Sequence, residues 1–207
     1  EKRVALVIGN SAYKLISPLE NPGNDAAMMA STLKELSFDV VEAKNADRKG
    51  MARAIKDFGK RLRRAGPQSV GLFYYAGHGV QAGGSNFLIP LGAPIQDEED
   101  LEIQAVSASW VLRQMKLAKN ALNIVIMDAC RNNPFKGIFR SATRGLARMN
   151  APSGSLIAYA AAPGQLAADG KGDNSPYTAA LVAAMRKQGL SLEQVFKRVR
   201  VAVEKAT

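Results

Sequence analysis

Two residues that each occur once carry most of the chemistry this sequence offers. His78 is the only histidine and Cys130 the only cysteine among 207 residues. Each closes a strand-like hydrophobic run. One is Val70-Gly71-Leu72-Phe73-Tyr74-Tyr75-Ala76-Gly77-His78-Gly79, the other Leu122-Asn123-Ile124-Val125-Ile126-Met127-Asp128-Ala129-Cys130. Parallel strands of an open α/β sheet present their chemistry at their carboxyl ends, so both side chains are expected at one edge of one sheet. A thiol is a poor nucleophile until it is deprotonated. A neighbouring imidazole takes the proton and later returns one to a leaving amine. The tetrahedral intermediate then needs donors for its oxyanion. The candidates are the N–H of Gly79, which no side chain shields, and the N–H of Cys130. Gly77 and Gly79 also permit a sharp turn beyond the strand. A lone cysteine is commonly a small buried hydrophobe, and a lone histidine a satisfied polar residue. Their joint placement at matching strand ends is what favours the catalytic reading.

The elements that must position this pair can be read from apolar periodicity. Val4 to Ile8, ending at Gly9-Asn10, reads as a buried strand. Ala26, Met29, Ala30, Leu33 and Leu36 mark an amphipathic helix over 25–36. A short strand runs from Phe38 to Ala43. Met51, Ile55, Phe58 and Leu62 mark a second helix, whose other face is basic through Arg53, Lys56, Lys60, Arg63 and Arg64. Gly66-Pro67 stops it, and a third strand covers Ser69 to Tyr75. The stretch from Val80 to Pro90 reads as a hairpin turned at Gly83-Gly84. An acidic loop from Gln96 to Glu102 precedes a helix over Ser107 to Ala118, a strand over Leu122 to Met127 and a loop over 131–153. The next strand is Ser155 to Ala160. Ser175-Pro176 is a helix start with a capping serine and proline at the first helical position; that helix buries Tyr177, Leu181 and Met185. Ser191 with Gln194 suggests a capping box for a last helix that buries Leu192, Val195, Val199 and Val203. Strands alternating with helices, without a repeat or a boundary, predict one α/β domain over 1–207: a three-layer α/β/α sandwich on a mostly parallel sheet.

Composition narrows the field. A hydrophobic content of 47% is that of a globular chain. No apolar run approaches the ~20 residues that span a bilayer. A single cysteine excludes an internal disulfide and a Cys-rich zinc site, and leaves the compartment open, cytoplasmic or exported. The sequence begins at Glu1 rather than Met, so a processed or excised piece is expected, from which a signal peptide or further domains have been removed. The net charge of +10 favours acidic partners, and a solvated basic surface is the competing reading. Residues 129–168 contain no acid but do contain Arg131, Lys136, Arg140, Arg144 and Arg148. A nucleic-acid partner for the basic helix lacks an interleaved aromatic platform.

The stretches Tyr75-Ala76-Gly77-His78-Gly79 and Asp128-Ala129-Cys130-Arg131-Asn132 resemble the histidine and cysteine motifs of the caspase-like cysteine peptidases. Cys130 follows His78 by about 50 residues, the spacing of the caspases themselves. Asp128 and Asn132 stand where true caspases have Gln and Gly, so the form resembles the metacaspases, paracaspases and bacterial caspase-like proteins. The resemblance runs from Val4-Ala5-Leu6-Val7-Ile8-Gly9-Asn10 to Asn174-Ser175-Pro176-Tyr177. It implies an endopeptidase with Cys130 as nucleophile and His78 as base and acid. Caspase-like folds carry a sixth strand after the last helix. Here that helix reaches the end of the sequence at Thr207, so the last strand is expected to be absent or cut away.

The resemblance further implies a pocket lined by two aspartates. One is Asp128, two positions before the nucleophile; the other is Asp25 in Asn24-Asp25-Ala26. Paired carboxylates in a partly dry pocket favour a cation, which implies cleavage after Arg or Lys. The competing role for Asp25 is a cap or first-turn carboxylate of the first helix; for Asp128 it is a carboxylate that fixes the loop after Cys130. Ala76 replaces the Ser or Cys that relatives often place two residues before the histidine, which removes one polar contact. Tyr159, Ala160 and Ala161, in the stretch to Gly164, resemble the wall of the substrate groove, where a peptide would add as a strand. Some metacaspases need calcium. Asp97, Glu98, Glu99, Asp100 and Glu102 lack the spacing of a calcium loop and read as a solvated acidic loop, so no cofactor or metal is expected, with calcium activation the competing reading. Self-cleavage in the loop after Cys130 is expected at Arg140, Arg144 or Arg148, with Lys136 a further basic site. A basic surface that closes over the groove is the competing reading of that loop. A caspase-like scaffold that binds protein partners and cleaves poorly is the competing reading of the whole.

Overall fold

The computed structural model describes residues 1–129, 134–135, 145–161 and 172–207. Cys130, Arg131, Lys136, Arg140 and Arg144 lie outside the described residues, as do Ala162 to Gly164. Strands β1 (Arg3–Gly9), β2 (Phe38–Lys44) and β3 (Val70–Ala76) alternate with helices α1 (Pro22–Glu35) and α2 (Arg48–Ala65). A hairpin follows, β4 (Gly79–Ala82) and β5 (Ser85–Leu88). Then come α3 (Asp100–Gln104), β6 (Val106–Ser107), α4 (Ala108–Ala118), β7 (Leu122–Asp128), β8 (Ser155–Tyr159), α5 (Pro176–Met185) and α6 (Leu192–Ala206). Among the described residues the main sheet has five strands in the order β2-β1-β3-β7-β8, parallel throughout. A smaller antiparallel sheet, β4-β5-β6, stands beside it.

The period of two along the strands divides the core into two layers. Leu6, Ile8, Phe73, Tyr75, Val125 and Met127 face α2 and α4, against Met51, Ile55, Phe58, Leu62, Val111 and Met115. Ala5, Val7, Leu72, Tyr74, Ile124 and Ile126 face the other way, against α1, α5 and α6. β3 is buried along its whole length, which explains why it reads as a continuous apolar run rather than an alternating one. The three-layer expectation is met.

The strand order reverses direction between β1 and β3, and ligands of open α/β sheets bind in the crevice at such a point. His78 follows β3 directly there. The hairpin turns at Gly83 and Gly84, both with positive φ, as the sequence predicts. Several boundaries differ from expectation. α1 starts at Pro22 instead of residue 25, because proline fits the first turn, where its missing N–H is not needed. The acidic loop contains α3, and β6 precedes α4; both are too short to leave a periodic signal. Asp97 and Asp100 accept backbone N–H groups of that same turn, from Asp100 and from Gln96 and Asp97 respectively. The basic residues Arg53, Lys56, Lys60, Arg63 and Arg64 of α2 are exposed as expected, and Arg61 pairs with Asp39 and Asp57. Among the described residues no helix is long and apolar enough to cross a membrane.

Candidate active site

His78 is 3% exposed and is held from both sides of its backbone. Its N–H donates to the Tyr13 hydroxyl at 3.1 Å, and its carbonyl accepts from the Tyr75 hydroxyl at 2.8 Å. The Tyr13 hydroxyl in turn donates to the carbonyl of Ile89 at 3.0 Å, and the Tyr13 ring lies against the imidazole with centroids 4.7 Å apart. Burial, followed by the neighbouring Tyr13, pushes the Tyr75 phenol well above its ordinary pKa, so Tyr75 remains a donor. Gly77 has a φ of +155°, and a Cβ there would lie 2.7 Å from the Tyr75 hydroxyl and 2.9 Å from that of Tyr13. Only glycine lets the chain pass between these two phenols.

The imidazole Nε2 lies 2.8 Å from the carbonyl oxygen of Ser17, in the loop after β1. A carbonyl only accepts, so Nε2 carries the proton and Nδ1 is the basic nitrogen of the neutral ring. Neither Ser17 nor Tyr13 is visible as a site residue in the sequence, since both act through tertiary placement. Tyr13→Phe keeps the ring and removes the hydroxyl that the His78 N–H needs. It is expected to lower stability by about 1–3 kcal/mol, the cost of a buried donor left unpaired, read as a lower urea midpoint at unchanged m-value.

Gly79 opens β4 and packs on the residue before Cys130. A Cβ at Gly79 would lie 3.1 Å from Ala129 Cβ and 3.2 Å from the Ala129 carbonyl oxygen. Glycine here serves close packing of the two arms, in addition to the bare N–H that sequence reasoning emphasised. Ala76 pairs in register with Asp128 across β3 and β7. Its side chain is fully buried in the layer facing α1 and α5 and offers no polar contact.

The two aspartates come together. Asp25 and Asp128 are both fully buried, and one residue bridges them. The backbone N–H of Ser175 donates to Asp25 Oδ1 at 2.9 Å, and its hydroxyl donates to Asp128 Oδ2 at 2.6 Å. Asn174 Nδ2 adds a bond to Asp25 Oδ1 at 3.0 Å, and the Thr178 hydroxyl one to Asp128 Oδ2 at 3.0 Å. Asn24 reaches the same segment, at the carbonyl of Asp173. The strand alternation explains the meeting, because Ile124, Ile126 and Asp128 share the face that α1 and α5 cover. Asp25 is not the cap of α1, whose N-cap position is Asn21 with no side-chain capping bond, but it does lie in the first turn of that helix, so the first-turn role holds beside the pairing through Ser175. Ser175 does cap α5, accepting from Thr178 N–H at 3.1 Å, and the positive end of that helix lies beside Asp128. Tyr74 meets Thr178 at 2.6 Å. Burial first, then the charges of Asp128 and Asp25, drive its phenol well above the usual pKa.

β8 is the outer strand on this side of the sheet. Tyr159 and Ala161 pack towards the α2 and α4 layer, and Ala160 towards the other. The Ala160 N–H is occupied by the carbonyl of Met127 at 3.0 Å. Arg148 is exposed.

A protein-family model described as the caspase domain matches residues 2–207. The chain belongs to the caspase domain family. Over 131 residues this caspase domain is 32% identical to the human mucosa-associated lymphoid tissue lymphoma translocation protein 1 and to its mouse homolog. The matched region is 62% of this chain and 15% of each relative, so the chain spans only a small part of their length. That family is one of peptidases.

Proposed function

We propose that this caspase domain is a cysteine endopeptidase that cleaves after Arg or Lys. The observation that carries the reading is the buried pair Asp25 and Asp128, bridged by Ser175 at the same sheet edge as His78. In this reading Cys130 attacks the scissile carbonyl. His78 Nδ1 takes the thiol proton, and the Ser17 carbonyl steadies the imidazolium through Nε2–H. The N–H groups of Gly79 and Cys130 receive the oxyanion. The imidazolium then protonates the leaving amine, and water deprotonated by the same ring hydrolyses the thioester. The carboxylate pair holds the guanidinium or ammonium of the residue before the cut bond, and Tyr159, Ala160 and Ala161 line the groove.

A fluorogenic peptide panel varied only at that residue, run with and without calcium, tests the reading. Arginyl and lysyl peptides are expected to turn over, and aspartyl and glutamyl peptides to be inert. Preferential cleavage after Asp would overturn it, and absence of all turnover would favour a partner-binding scaffold. Processing within 131–153, at Arg140, Arg144 or Arg148, belongs to the same proposal. Intact-mass spectra of the active protein are expected to show fragments that Cys130→Ala lacks. Equal fragments in both would point to a foreign protease.

A further inference from the structure

Residues 145–149 form neither helix nor strand, yet they are tied to the hairpin after His78, to the end of β8 and to the residue before Cys130. Asn86, on the hairpin that continues from His78, donates from Nδ2 to the Ala147 carbonyl at 2.7 Å. It accepts the Ala147 N–H on Oδ1, also at 2.7 Å. The side-chain amide thus reproduces the two-bond pairing that a neighbouring antiparallel strand would make. The Met149 N–H donates to the Tyr159 hydroxyl at 3.0 Å. Between these, Leu146 is 2% exposed. Its Cδ2 and the Ala129 Cβ each lie 3.1 Å from where a Cβ on Gly79 would stand. Leu146 therefore sits where the segment after His78 meets the residue before Cys130. Gly145, with a φ of +72°, turns the chain into this place. Arg148 is exposed but lies between two held neighbours.

We propose that residues 145–149 are a strap that sets the spacing of the histidine and cysteine arms, with Asn86 and Leu146 as its positioning residues. The proposal rests on the Cys–His reading above. The space at Gly79 does not take even a methyl group without its neighbours shifting, so the position of Leu146 is transmitted to both arms. The strap also selects among the basic residues of the loop. A peptidase engages its substrate as an extended strand drawn into a groove. Drawing out the Arg148–Met149 bond breaks the Asn86 pairing and the Tyr159 bond, and withdraws Leu146 from the core. Of the three arginines at which processing is proposed, self-cleavage is therefore favoured at Arg140 or Arg144 over Arg148, and the strap stays docked behind the new end.

The test uses the 207-residue protein. In a Cys130→Ala background, which silences self-cleavage, limited trypsin digestion read by mass is expected to spare Arg148. Adding Asn86→Ala is expected to raise cutting there about tenfold, because proteolysis follows the open population, with cutting in α2 unchanged. The single histidine gives one set of imidazole NMR signals, which is expected to move in both Asn86→Ala and Leu146→Ala. With Cys130 present, each variant is expected to lose about tenfold in kcat at nearly unchanged KM, as misplacement of a reacting pair would do. Trypsin cutting of Arg148 at equal rates in the parent and Asn86→Ala would overturn the strap, as would histidine signals that stay in place in both variants. A wild-type protein that cleaves no peptide would remove the peptidase reading alone, since trypsin and NMR judge the strap without turnover.

Discussion

Cys130→Ala and His78→Ala are each expected to lower turnover of an arginyl peptide by about a thousandfold or more, because nucleophile and base act as one unit. For the same reason the double variant is expected to be no worse than the weaker single. The fold is expected to survive in both. Position 130 follows Ala129 at the end of a strand whose core contacts come from Ile124 to Met127. The His78 backbone bonds to Tyr13 and Tyr75 do not use its ring. Circular dichroism and a urea midpoint check the fold, and steady-state kinetics the loss. A Cys130→Ala protein that kept more than about a tenth of wild-type turnover would sink the mechanism, since no thiolate route remains.

The second large effect is expected at the carboxylate pair. Asp128→Asn keeps shape and volume but removes one charge, and is expected to lower kcat/KM for an arginyl peptide by about a hundredfold or more. That corresponds to the cost of unpairing a buried charge, about 2–5 kcal/mol. Asp25→Asn is expected to act in the same direction. The variants should narrow the gap between an arginyl and a glutaminyl peptide, because the neutral side chain never used the charge. That ratio separates a lost pocket from a loosened fold, which would slow both peptides alike. Wild-type kinetics in both variants would overturn the assignment. Ser175→Ala offers a control of another kind. It removes the hydroxyl between the carboxylate and the N-terminus of α5 but leaves both charges, so preference for the arginyl peptide should persist in a less stable protein.

The strands that lead into His78 and position 130, and the layered fold, were legible because they rest on local signals. An apolar run bounded by glycine reads as a buried parallel strand, and the two runs ending at His78 and Cys130 do not depend on any distant residue. The hairpin at Gly83-Gly84 and the caps at Ser175 and Ser191 were legible for the same reason, since turn and cap chemistry are written in two to four neighbouring residues. What the local signal could not carry is who meets whom across the sheet. Ser175 reads as a cap and nothing more, yet its N–H and hydroxyl join Asp25 to Asp128 across 150 and 47 positions of chain. Tyr13 and Ser17 lie in a loop with no periodicity, and they hold His78 from 65 and 61 positions away. The hold of Asn86 on Ala147 is another such pairing, between residues that look like an ordinary strand and an ordinary loop. The sequence by itself determined the two apolar runs before His78 and Cys130 as neighbouring parallel strands of one sheet, because spacing and apolar period are properties of neighbouring residues. The tautomer of the imidazole, the bridge between the carboxylates and the docking of residues 145–149 were decided only by tertiary structure, because register, close packing and hydrogen bonds between distant segments exist only once the layers have closed.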